Sequence, residues 1–573
     1  MEKPRTTPRE DLELSSNNNA HQNSTFPHDS KDEIVTVDAQ HGVQAIEAAA
    51  GVWGKWDLVI AYGFIWLVYF VTLINEVVVR ALTPFVTSSF ALHSLTATST
   101  VISSIIEGLS KIPLAKIVDI WGRPQGIALM LLFWVLGFIM MANCHNVETY
   151  AAALVFSTVG AQGVSYCLTI FVADTSALKN RALMLSFATS PYIVTTWVGG
   201  PMSDAFVAGP GWRWGFGVFA IIVPVVVVPL IVVFMWNQHK AKKLGLVPPP
   251  REKTSLKEFA IQFDSLGVFL LAAGMTLFLL PMNVYSYQTD GWRSPMIIAM
   301  IVVGGLLVIA FVLYEKFWAP VNFIPMHLLG DRTVLSAGIM LVFVLFNSAI
   351  WGSYFNSMLL VTWNQSLTKA TYISNIYRVG SCFSALILGF FIRWTGRFKW
   401  VAVYYALPLM MLGVGLMIQF RQPNVDIGLV IMTQVFVAFA GGPVVTSAEL
   451  AMMAPVGHQH IAAILAILDL FGSVGTALGS TVSAAIWTGA FPAALARNLP
   501  PGTPADTIYS SIYVQLGYRV GTPIRVGISY AYAEAQRYML IAAITLLGAA
   551  WVCTWLWRDI KIKDIHQIKG SVV

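Results

Sequence analysis

Charged side chains are scarce in this sequence, and their scarcity excludes most soluble folds. Only 11% of its 573 residues are Asp, Glu, Lys or Arg, whereas 56% are hydrophobic. A soluble domain carries about 25% charged residues, so most of this chain must face lipid or other buried helices. The composition therefore predicts an all-α membrane protein.

Cysteine is scarce as well, and no two of the four cysteines have the spacing of a metal site or a redox motif. We therefore interpret them as small apolar packing residues. The sequence also shows no cluster of His, Cys and carboxylate residues and no nucleophile paired with a base. We thus predict no enzyme activity, no protein-bound metal and no cofactor. The cysteines are Cys144, Cys167, Cys382 and Cys553.

The positive charge lies largely in the tails and loops. A net charge of +6 in those places indicates membrane topology and contact with anionic lipid, rather than binding to nucleic acid. Residues 1–56 are polar and show no signal peptide, so we expect a disordered cytoplasmic tail that buries too little apolar surface to fold.

Fourteen apolar runs are long enough to cross a bilayer, which takes about 20 residues of helix. An even number of spans puts both termini on the same side. Lys and Arg concentrate in one set of short loops and in the carboxyl-terminal tail, so we expect both termini in the cytoplasm. The predicted helices 1 to 14 are 58–79, 95–117, 125–143, 149–172, 183–205, 214–236, 265–286, 295–315, 334–356, 370–392, 400–419, 425–447, 461–486 and 537–557.

One short phrase occurs twice, about 274 residues apart, each time between two apolar runs. The first copy is Ala-Lys-Ile-Val-Asp-Ile-Trp-Gly-Arg at 115–123, and the second is Gly-Phe-Phe-Ile-Arg-Trp-Thr-Gly-Arg at 389–397. A repeat that includes its flanking membrane helices marks a duplicated polytopic protein, and in such folds substrate sites tend to lie between the repeats. The repeat therefore predicts a transporter.

The duplication also predicts the domain organisation. Helices 2 and 3 match helices 10 and 11, so two six-helix repeats flank two inserted helices. A basic, Pro-rich cytoplasmic linker follows the first repeat, and the second repeat contains one long outer loop, which suggests a functional role because long structureless loops are uncommon. The predicted ranges are 57–236 and 319–560 for the repeats, 263–318 for the inserted helices, 237–262 for the linker, 487–536 for the outer loop and 561–573 for a second cytoplasmic tail.

The repeated phrase has the residues of a conformational hinge. Glycine allows a tight turn, and the charged side chains latch neighbouring helix ends in one conformation and part in another. The plainer interpretation is that the arginines only follow the positive-inside rule, but the duplication favours a hinge. The hinge residues are Asp119, Gly122, Arg123, Gly389, Arg393, Gly396 and Arg397.

Several ionisable residues fall within predicted helices, where each is costly unless it is paired or hydrated. Glu107 lies near the middle of helix 2, and Lys111 follows one turn later, so the two either pair locally or serve proton coupling. Asp469 is the matching acid of helix 13. Arg378, on helix 10, is expected to neutralise either acid or to hold a substrate oxygen. Glu76 is a weaker candidate near a helix end, where snorkelling is the more common explanation.

The hinge resembles that of the major facilitator superfamily, whose motif between helices 2 and 3 runs Gly-x-Leu-Ala-Asp-Arg-x-Gly-Arg. Asp119, Gly122 and Arg123 match this motif. In the second copy Gly389, Gly396 and Arg397 match, and Arg393 takes the acidic position. The helix 4 motif Arg-x-x-Gln-Gly has Val159 in place of its arginine, and the helix 5 turn of drug antiporters is broken after Gly200-Pro201.

The last outer loop is similar to that of the fungal siderophore-iron transporters. The similarity lies in Ile508-Tyr-Ser-Ser-Ile512-Tyr, in Gly521-Thr-Pro-Ile-Arg525 and in Ala531-Tyr-Ala-Glu-Ala-Gln536-Arg, and the wider resemblance covers residues 57–560. It implies a 14-helix major facilitator superfamily fold that imports ferric hydroxamate siderophores by proton symport and alternating access. Iron is then cargo held by the siderophore.

A ferric siderophore suits a chain without metal ligands, because three hydroxamates complete the octahedral shell of Fe³⁺ and leave no net charge. Recognition then rests on aromatic faces and a few hydrogen bonds in a roomy cavity. Helix packing explains each aromatic candidate about as well, and the loop tyrosines either form a lid or decorate the surface. The cavity candidates are Tyr192, Trp351, Tyr354, Phe355, Tyr372 and Tyr377, and the lid candidates are Tyr509, Tyr513, Tyr518, Arg525, Tyr530 and Tyr532.

Two other functions remain open. The first alternative is a 14-helix drug or toxin/proton exporter, and the second is a ligand sensor that does not transport, which ranks low because no long soluble output domain is present. We expect a monomer in the plasma membrane, with an endosomal or vacuolar-type vesicle membrane as the alternative. The sequon Asn364-Gln-Ser366 predicts glycosylation of Asn364 on an outer loop.

Overall fold

The computed structural model describes residues 53–89, 106, 110, 111, 113–246, 261, 264–281, 285, 288, 290–320, 329–457, 460–510 and 512–564. Throughout these ranges the chain is helical, and none of the described residues forms a strand, which confirms the all-α class. The predicted tail before residue 53 and most of the linker lie outside the described residues, as does Glu107.

The described residues up to Leu246 form a bundle of seven helices, called here the first bundle. Helix α1 packs against α6 and α7, and α3 packs against α4 and α7. The helices are α1 (Lys55–Ser89), α2 (113–121), α3 (Arg123–Ala142), α4 (Val147–Thr175), α5 (Leu178–Thr189), α6 (Tyr192–Ala208) and α7 (Trp212–Lys243).

Two helices follow that pack on each other, α8 (Ser265–Leu279) and α9 (Pro295–Phe317). The rest of the chain forms the second bundle, in which α10 packs against α15 and α18, and α12 against α14. Its helices are α10 (Arg332–Gly352), α11 (Phe355–Thr362), α12 (Leu367–Thr395), α13 (Lys399–Phe420), α14 (Ile427–Met453), α15 (Ile461–Asn498), α16 (Ala505–Ser510), α17 (Ile512–Gly517) and α18 (Pro523–Trp555).

Eleven helical segments of the described chain are long and apolar enough to cross a membrane, and α8 is a shorter apolar helix. The eleven correspond to all the predicted spans except helices 2, 5 and 7. Predicted helix 2 is described only in part. The total of fourteen therefore stays a prediction.

Predicted helix 5 (183–205) is not continuous. The structure ends α5 at Thr189 and begins α6 at Tyr192, with a turn at 190–191. Pro191 has no backbone N–H to donate and crowds the preceding turn, which breaks a helix. The Ser190 hydroxyl donates to the Phe187 carbonyl at 2.7 Å and accepts from the indole N–H of Trp66 at 2.9 Å. Hydrogen bonds of Ser190 therefore stabilise the break, and Tyr192 is the first residue of α6.

The outer loop predicted at 487–536 is shorter in the structure, because helices enter it from both sides. α15 continues to Asn498, and α18 begins at Pro523, whose fixed φ suits a first helical position. Trp487 and Phe491 on α15 lie 5.3 and 4.8 Å from the Tyr532 ring on α18. This aromatic contact holds the two helix ends together, so only residues 499–522 remain between them.

Helix α7 also runs past its predicted end. It continues through Lys243 into the predicted linker 237–262, with Lys240, Lys242 and Lys243 in its last turn. Cations are favourable at the carboxyl end of a helix because the helix dipole is negative there. The basic residues that suggested a linker thus stabilise the end of a helix.

Candidate functional site

The two bundles meet where α12 packs against α5 and α6, a contact called here the seam. Gly389 on α12 permits the close approach, because a Cβ there would lie 2.7 Å from the Leu183 Cα on α5. Cys382 lies earlier on α12, with its Sγ 3.7 Å from the Thr189 carbonyl oxygen at the end of α5. The seam is thus a backbone-to-backbone contact between the halves.

An ion pair joins the bundles beside the seam. Arg378 on α12 donates from Nη1 to Oε1 of Glu76 on α1 at 2.9 Å, and the Tyr192 hydroxyl on α6 donates to Oε2 of Glu76 at 3.2 Å. The Arg378 guanidinium carbon lies 5.9 Å from the Tyr192 ring centre. The Arg378 and Glu76 side chains are 31% and 27% exposed, so both keep some accessible surface. Three helices from two bundles converge on one carboxylate.

This pairing differs from the prediction that Arg378 neutralises Glu107 or Asp469. Glu107 lies outside the described residues, and Arg378 reaches Glu76, which was the weaker candidate. The sequence gives the depth of each residue within its own helix, but it does not give the rotation of α1 and α12 toward each other. That rotation decides which acid meets the arginine.

A second ion pair crosses between the bundles. Lys111, just before α2, binds Asp469 on α15 with Nζ and Oδ2 3.2 Å apart, and their side chains are 12% and 37% exposed. The local pair predicted between Lys111 and Glu107 lies outside the described residues, and the Asp469 contact links the halves. The Tyr166 hydroxyl on α4 also donates to the Ala462 carbonyl on α15, so α15 has a polar contact with the first bundle at two places.

The first hinge copy forms a closed polar cluster. Arg123 is 1% exposed and donates from Nε to Oδ2 of Asp174 at 2.8 Å. Its Nη1 donates to Oδ1 of Asp119 and to the Val118 carbonyl, each at 3.1 Å. Gly122 takes a φ of 109° before α3, a conformation that glycine adopts without strain. The hinge therefore ties the turn between α2 and α3 to the end of α4.

Asp174 is the residue that sequence reasoning missed in this cluster. It stands in the last turn of α4 and its side chain has no exposed surface. An acid at a helix end is usually explained by capping or snorkelling, so its position alone gave no reason to select it. The signal that could have indicated Asp174 is the charge of Arg123, which requires more than one carboxylate partner when it is buried.

The second hinge copy is built differently. Gly396 ends α12 with a φ of 73°, as the glycine pattern predicts. Arg393, at the acidic position, is exposed. The carboxylate that meets Arg397 comes instead from Asp559, after α18, with Nη1 and Oδ2 3.3 Å apart. The two hinge copies thus share a glycine with a positive φ but not their ion pair.

The predicted cavity aromatics divide into two groups. Trp351 and Phe355 are 4% and 1% exposed, because the Arg421 guanidinium lies 4.0 Å from the Phe355 ring centre and donates to the Trp351 carbonyl. In the described conformation these two residues are packed inside the second bundle, contrary to the expectation that they line a cavity. Tyr192 lies at the ion pair, and Tyr377 packs edge-on against Trp351 at 5.2 Å.

The other two aromatic candidates contact tryptophans. Tyr372 on α12 lies 4.7 Å from Trp197 on α6, across the seam. Both line an apolar groove of about 170 Å³ between α6, α12 and α14. Tyr354 stacks on Trp487 at 3.9 Å with its ring nearly parallel, which places it under the outer loop.

The predicted lid residues mostly anchor the outer loop. Arg525 is 3% exposed and donates to the carbonyls of Val361, Leu360 and Gln515. These carbonyls include the unpaired ones at the end of α11, which require donors. The Tyr532 hydroxyl donates to Oε1 of Gln515 at 2.9 Å. Arg525 and Tyr532 are therefore buried anchors, which corrects their prediction as lid surface.

The remaining loop tyrosines are nearer the surface. Tyr530 accepts a hydrogen bond from the Asn424 amide at 2.9 Å, and Tyr509 and Tyr530 are 36% and 38% exposed. Tyr518 is half-buried, while the Tyr513 side chain lies outside the described residues. Among the residues that the structure describes, no group of three or more His, Cys, Asp or Glu is placed to hold a metal ion.

Comparison with known proteins gives consistent matches. The Major Facilitator Superfamily model matches residues 65–480. The chain is 52% identical over 554 residues to MFS siderochrome iron transporter 1 of Ajellomyces capsulatus, covering 95% of this chain and 94% of that protein. It is 41% identical to MFS siderochrome iron transporter D of Aspergillus fumigatus, covering 95% and 92%. It is 39% identical to siderophore iron transporter mirB of Emericella nidulans, covering 93% and 89%.

Solved structures agree on the fold. The proton:xylose symporter XylE bound to 6-bromo-6-deoxy-D-glucose superposes with a TM-score of 0.51 at 13% identity, covering 88% of this chain and all of that one. The human organic anion transporter MFSD10 superposes with a TM-score of 0.50 at 11% identity, covering 85% and 98%. At such low sequence identity, these structural similarities support the fold alone.

Proposed function

Because this chain belongs to the major facilitator superfamily and, within it, to the family of the fungal siderophore-iron transporters, we propose that it imports ferric hydroxamate siderophores together with protons. It is a multi-pass membrane transporter and not an enzyme. The observation that carries the mechanism is the ion pair of Glu76 and Arg378, which joins the two bundles at 2.9 Å. We also propose that the protein lies in the plasma membrane with both termini in the cytoplasm.

The proposed cargo fits the chemistry around this ion pair. A ferric hydroxamate complex is neutral and bulky, and its iron has a full ligand shell, so the protein needs surfaces rather than metal ligands. Tyr192 supplies an aromatic face beside Glu76 and Arg378. Hydroxamate oxygens are acceptors, for which the five N–H groups of Arg378 are suitable donors.

Protonation of Glu76 is the proposed coupling step. The negative charge of Glu76 holds Arg378 across the bundles, and a neutral carboxyl group would hold it less strongly. Loss of the pair frees α12 from α1, and the bundles then rock against each other, as paired repeats do in alternating access. The Lys111–Asp469 contact must also part before the opposite side opens, because it joins the same two bundles.

The test is uptake of radiolabelled iron, held by different siderophores, in cells that lack their own siderophore uptake and express this chain. We expect uptake of at least one hydroxamate siderophore, and a protonophore should abolish it. Uptake that survives the protonophore would disprove proton symport. Efflux of a toxin with no siderophore uptake would instead support the exporter alternative.

The role of Glu76 is tested by Glu76→Gln, which keeps the side-chain shape and removes the titratable group. We expect uptake to fall at least tenfold and to lose its dependence on external pH, because the carboxyl group that takes up the proton is removed. The matched control is Glu148→Gln on the exposed first turn of α4, which should leave uptake unchanged. Uptake by Glu76→Gln with a normal pH profile would reduce Glu76 to a structural residue.

A further inference from the structure

The segment Arg558–Asp564, called here the strap, folds back over the second hinge after α18 ends. The Ile562 backbone N–H donates to the Gly396 carbonyl at 3.0 Å, and the Lys563 ammonium donates to the Trp394 carbonyl. Ile562 is 1% exposed, as is Trp557 just before the strap. A chain end that buries apolar side chains and satisfies the last carbonyls of a helix is part of the fold, not a loose tail.

Charges fix the strap at two further points. Asp559 accepts from Nη1 of Arg397 at 3.3 Å and from the Trp400 indole N–H at 3.2 Å. On its other side Arg558 binds Asp331, at the start of α10, with 3.1 Å between Nη1 and Oδ2. The strap therefore links the turn between α12 and α13 to the beginning of α10.

The strap also reaches the first bundle. Its last turn, Ile562–Asp564, packs against α5. Helix α5 is the one that Gly389 of α12 approaches at Leu183. One helix of the first bundle is thus held by α12 and by the strap together, on the side of the molecule where the two hinge copies lie.

The two hinge copies explain why the strap is needed. Arg123 finds both of its carboxylates, Asp119 and Asp174, within its own repeat. The second copy has Arg393 at the acidic position, so Arg397 lacks the carboxylate that the first copy provides there. We propose that Asp559 replaces that carboxylate, and that the strap is a positioning element that holds the hinge side of the two bundles closed. This proposal rests on the alternating-access part of the proposed function.

The test measures how often the hinge side opens, without any substrate. Leu183→Cys places a thiol in the closed seam, in a chain whose four native cysteines are replaced, and the protein is held in lipid nanodiscs where a water-soluble maleimide reaches both faces. We expect Asp559→Asn to raise the labelling rate about fivefold, the effect of losing one partly exposed ion pair. Arg397→Asp should do the same.

The charge-swapped pair Arg397→Asp with Asp559→Arg should restore slow labelling, which a purely structural loss would not do. The matched control is Lys561→Gln, an exposed residue of the strap, which should label at the original rate. Unchanged labelling of Asp559→Asn, or fast labelling of the swapped pair, would overturn the proposal. Variants are compared only after size-exclusion chromatography shows a single folded species, so fast labelling reports opening and not unfolding.

The result is independent of the cargo. If the chain carried no siderophore but Asp559→Asn still opened the seam, the strap proposal would stand and the substrate proposal would fail. If siderophore uptake were normal and the labelling rate never changed, the substrate proposal would stand and the strap proposal would fail.

Discussion

Arg123 is the most deeply buried of the charged hinge residues that the structure describes. It is 1% exposed and meets two carboxylates and one carbonyl. In a buried cluster the removal of one partner costs far more than the cluster contributes as a whole, because the remaining charge stays buried without compensation. Such an arrangement specifies one geometry of the α2–α3 turn. The turn keeps this geometry relative to the end of α4 as long as Arg123 stays bound to Asp174.

Replacing Asp174 with Asn tests this at the level of one residue. We expect Asp174→Asn to lower the free energy of unfolding by about 3 kcal/mol, because Arg123 then keeps only one carboxylate in a buried site. Thermal unfolding in detergent measures the effect. The control is Asp506→Asn, because Asp506 is exposed. An equal decrease in the free energy of unfolding for both variants would contradict the prediction.

At the scale of helices, the seam depends on the absence of a side chain. A Cβ at Gly389 would lie 2.7 Å from the Leu183 Cα and 2.9 Å from its backbone nitrogen, so α12 and α5 have no room for one. The closeness of the two backbones means that small relative shifts of the helices are not absorbed by flexible side chains. The seam is therefore a close-fitting contact between the two bundles in this conformation.

Gly389→Ala should accordingly disturb transport more than it disturbs folding. We expect uptake to fall at least tenfold, since the added methyl group forces α12 away from α5 in a packed interface. Gly200→Ala is the matched control, because a Cβ at Gly200, also within a helix, meets nothing within 4 Å. If both variants transported equally well, the seam would not be a rigid contact.

The sequence predicted the individual helices better than their partners. Apolar runs such as 295–315 and 400–419 became α9 and α13 within a few residues, because length and apolar composition alone decide whether a segment spans a bilayer. The end of α15 and the beginning of α18 were missed, since residues 487–498 and 523–536 extend these helices beyond the roughly 20 residues that a span requires. Arg378 and Lys111 found partners on other helices because side-chain pairing depends on how helices rotate and lean together.

At the scale of the whole molecule, the halves are related by a duplication but are not equivalent. The first bundle closes its hinge with its own residues, while the second takes Asp559 from beyond its last helix. The ion pairs Glu76–Arg378 and Lys111–Asp469 both cross between the bundles. Among the described residues, these ion pairs and the seam connect one half to the other.

The orientation of the whole molecule is tested at Asn364. This residue is exposed and takes a left-handed conformation with a φ of 49° between α11 and α12, and it lies in a glycosylation sequon. We expect endoglycosidase treatment to reduce the apparent mass of the protein, and Asn364→Gln to abolish that change, because only outward-facing loops meet the glycosylation machinery. A glycan that persists in Asn364→Gln would place the modification elsewhere, and the lack of any glycan would contradict the prediction.

Helix α15 has 38 residues, a length of about 57 Å. A bilayer with its headgroups is about 40–45 Å thick, so an upright α15 stands well clear of the lipid. Arg497 near its tip binds Glu534 on α18, so the two helices extend together beyond the length that a bilayer covers. With the proposed orientation in the plasma membrane, soluble antibodies should recognise the segment between these helix ends on intact cells.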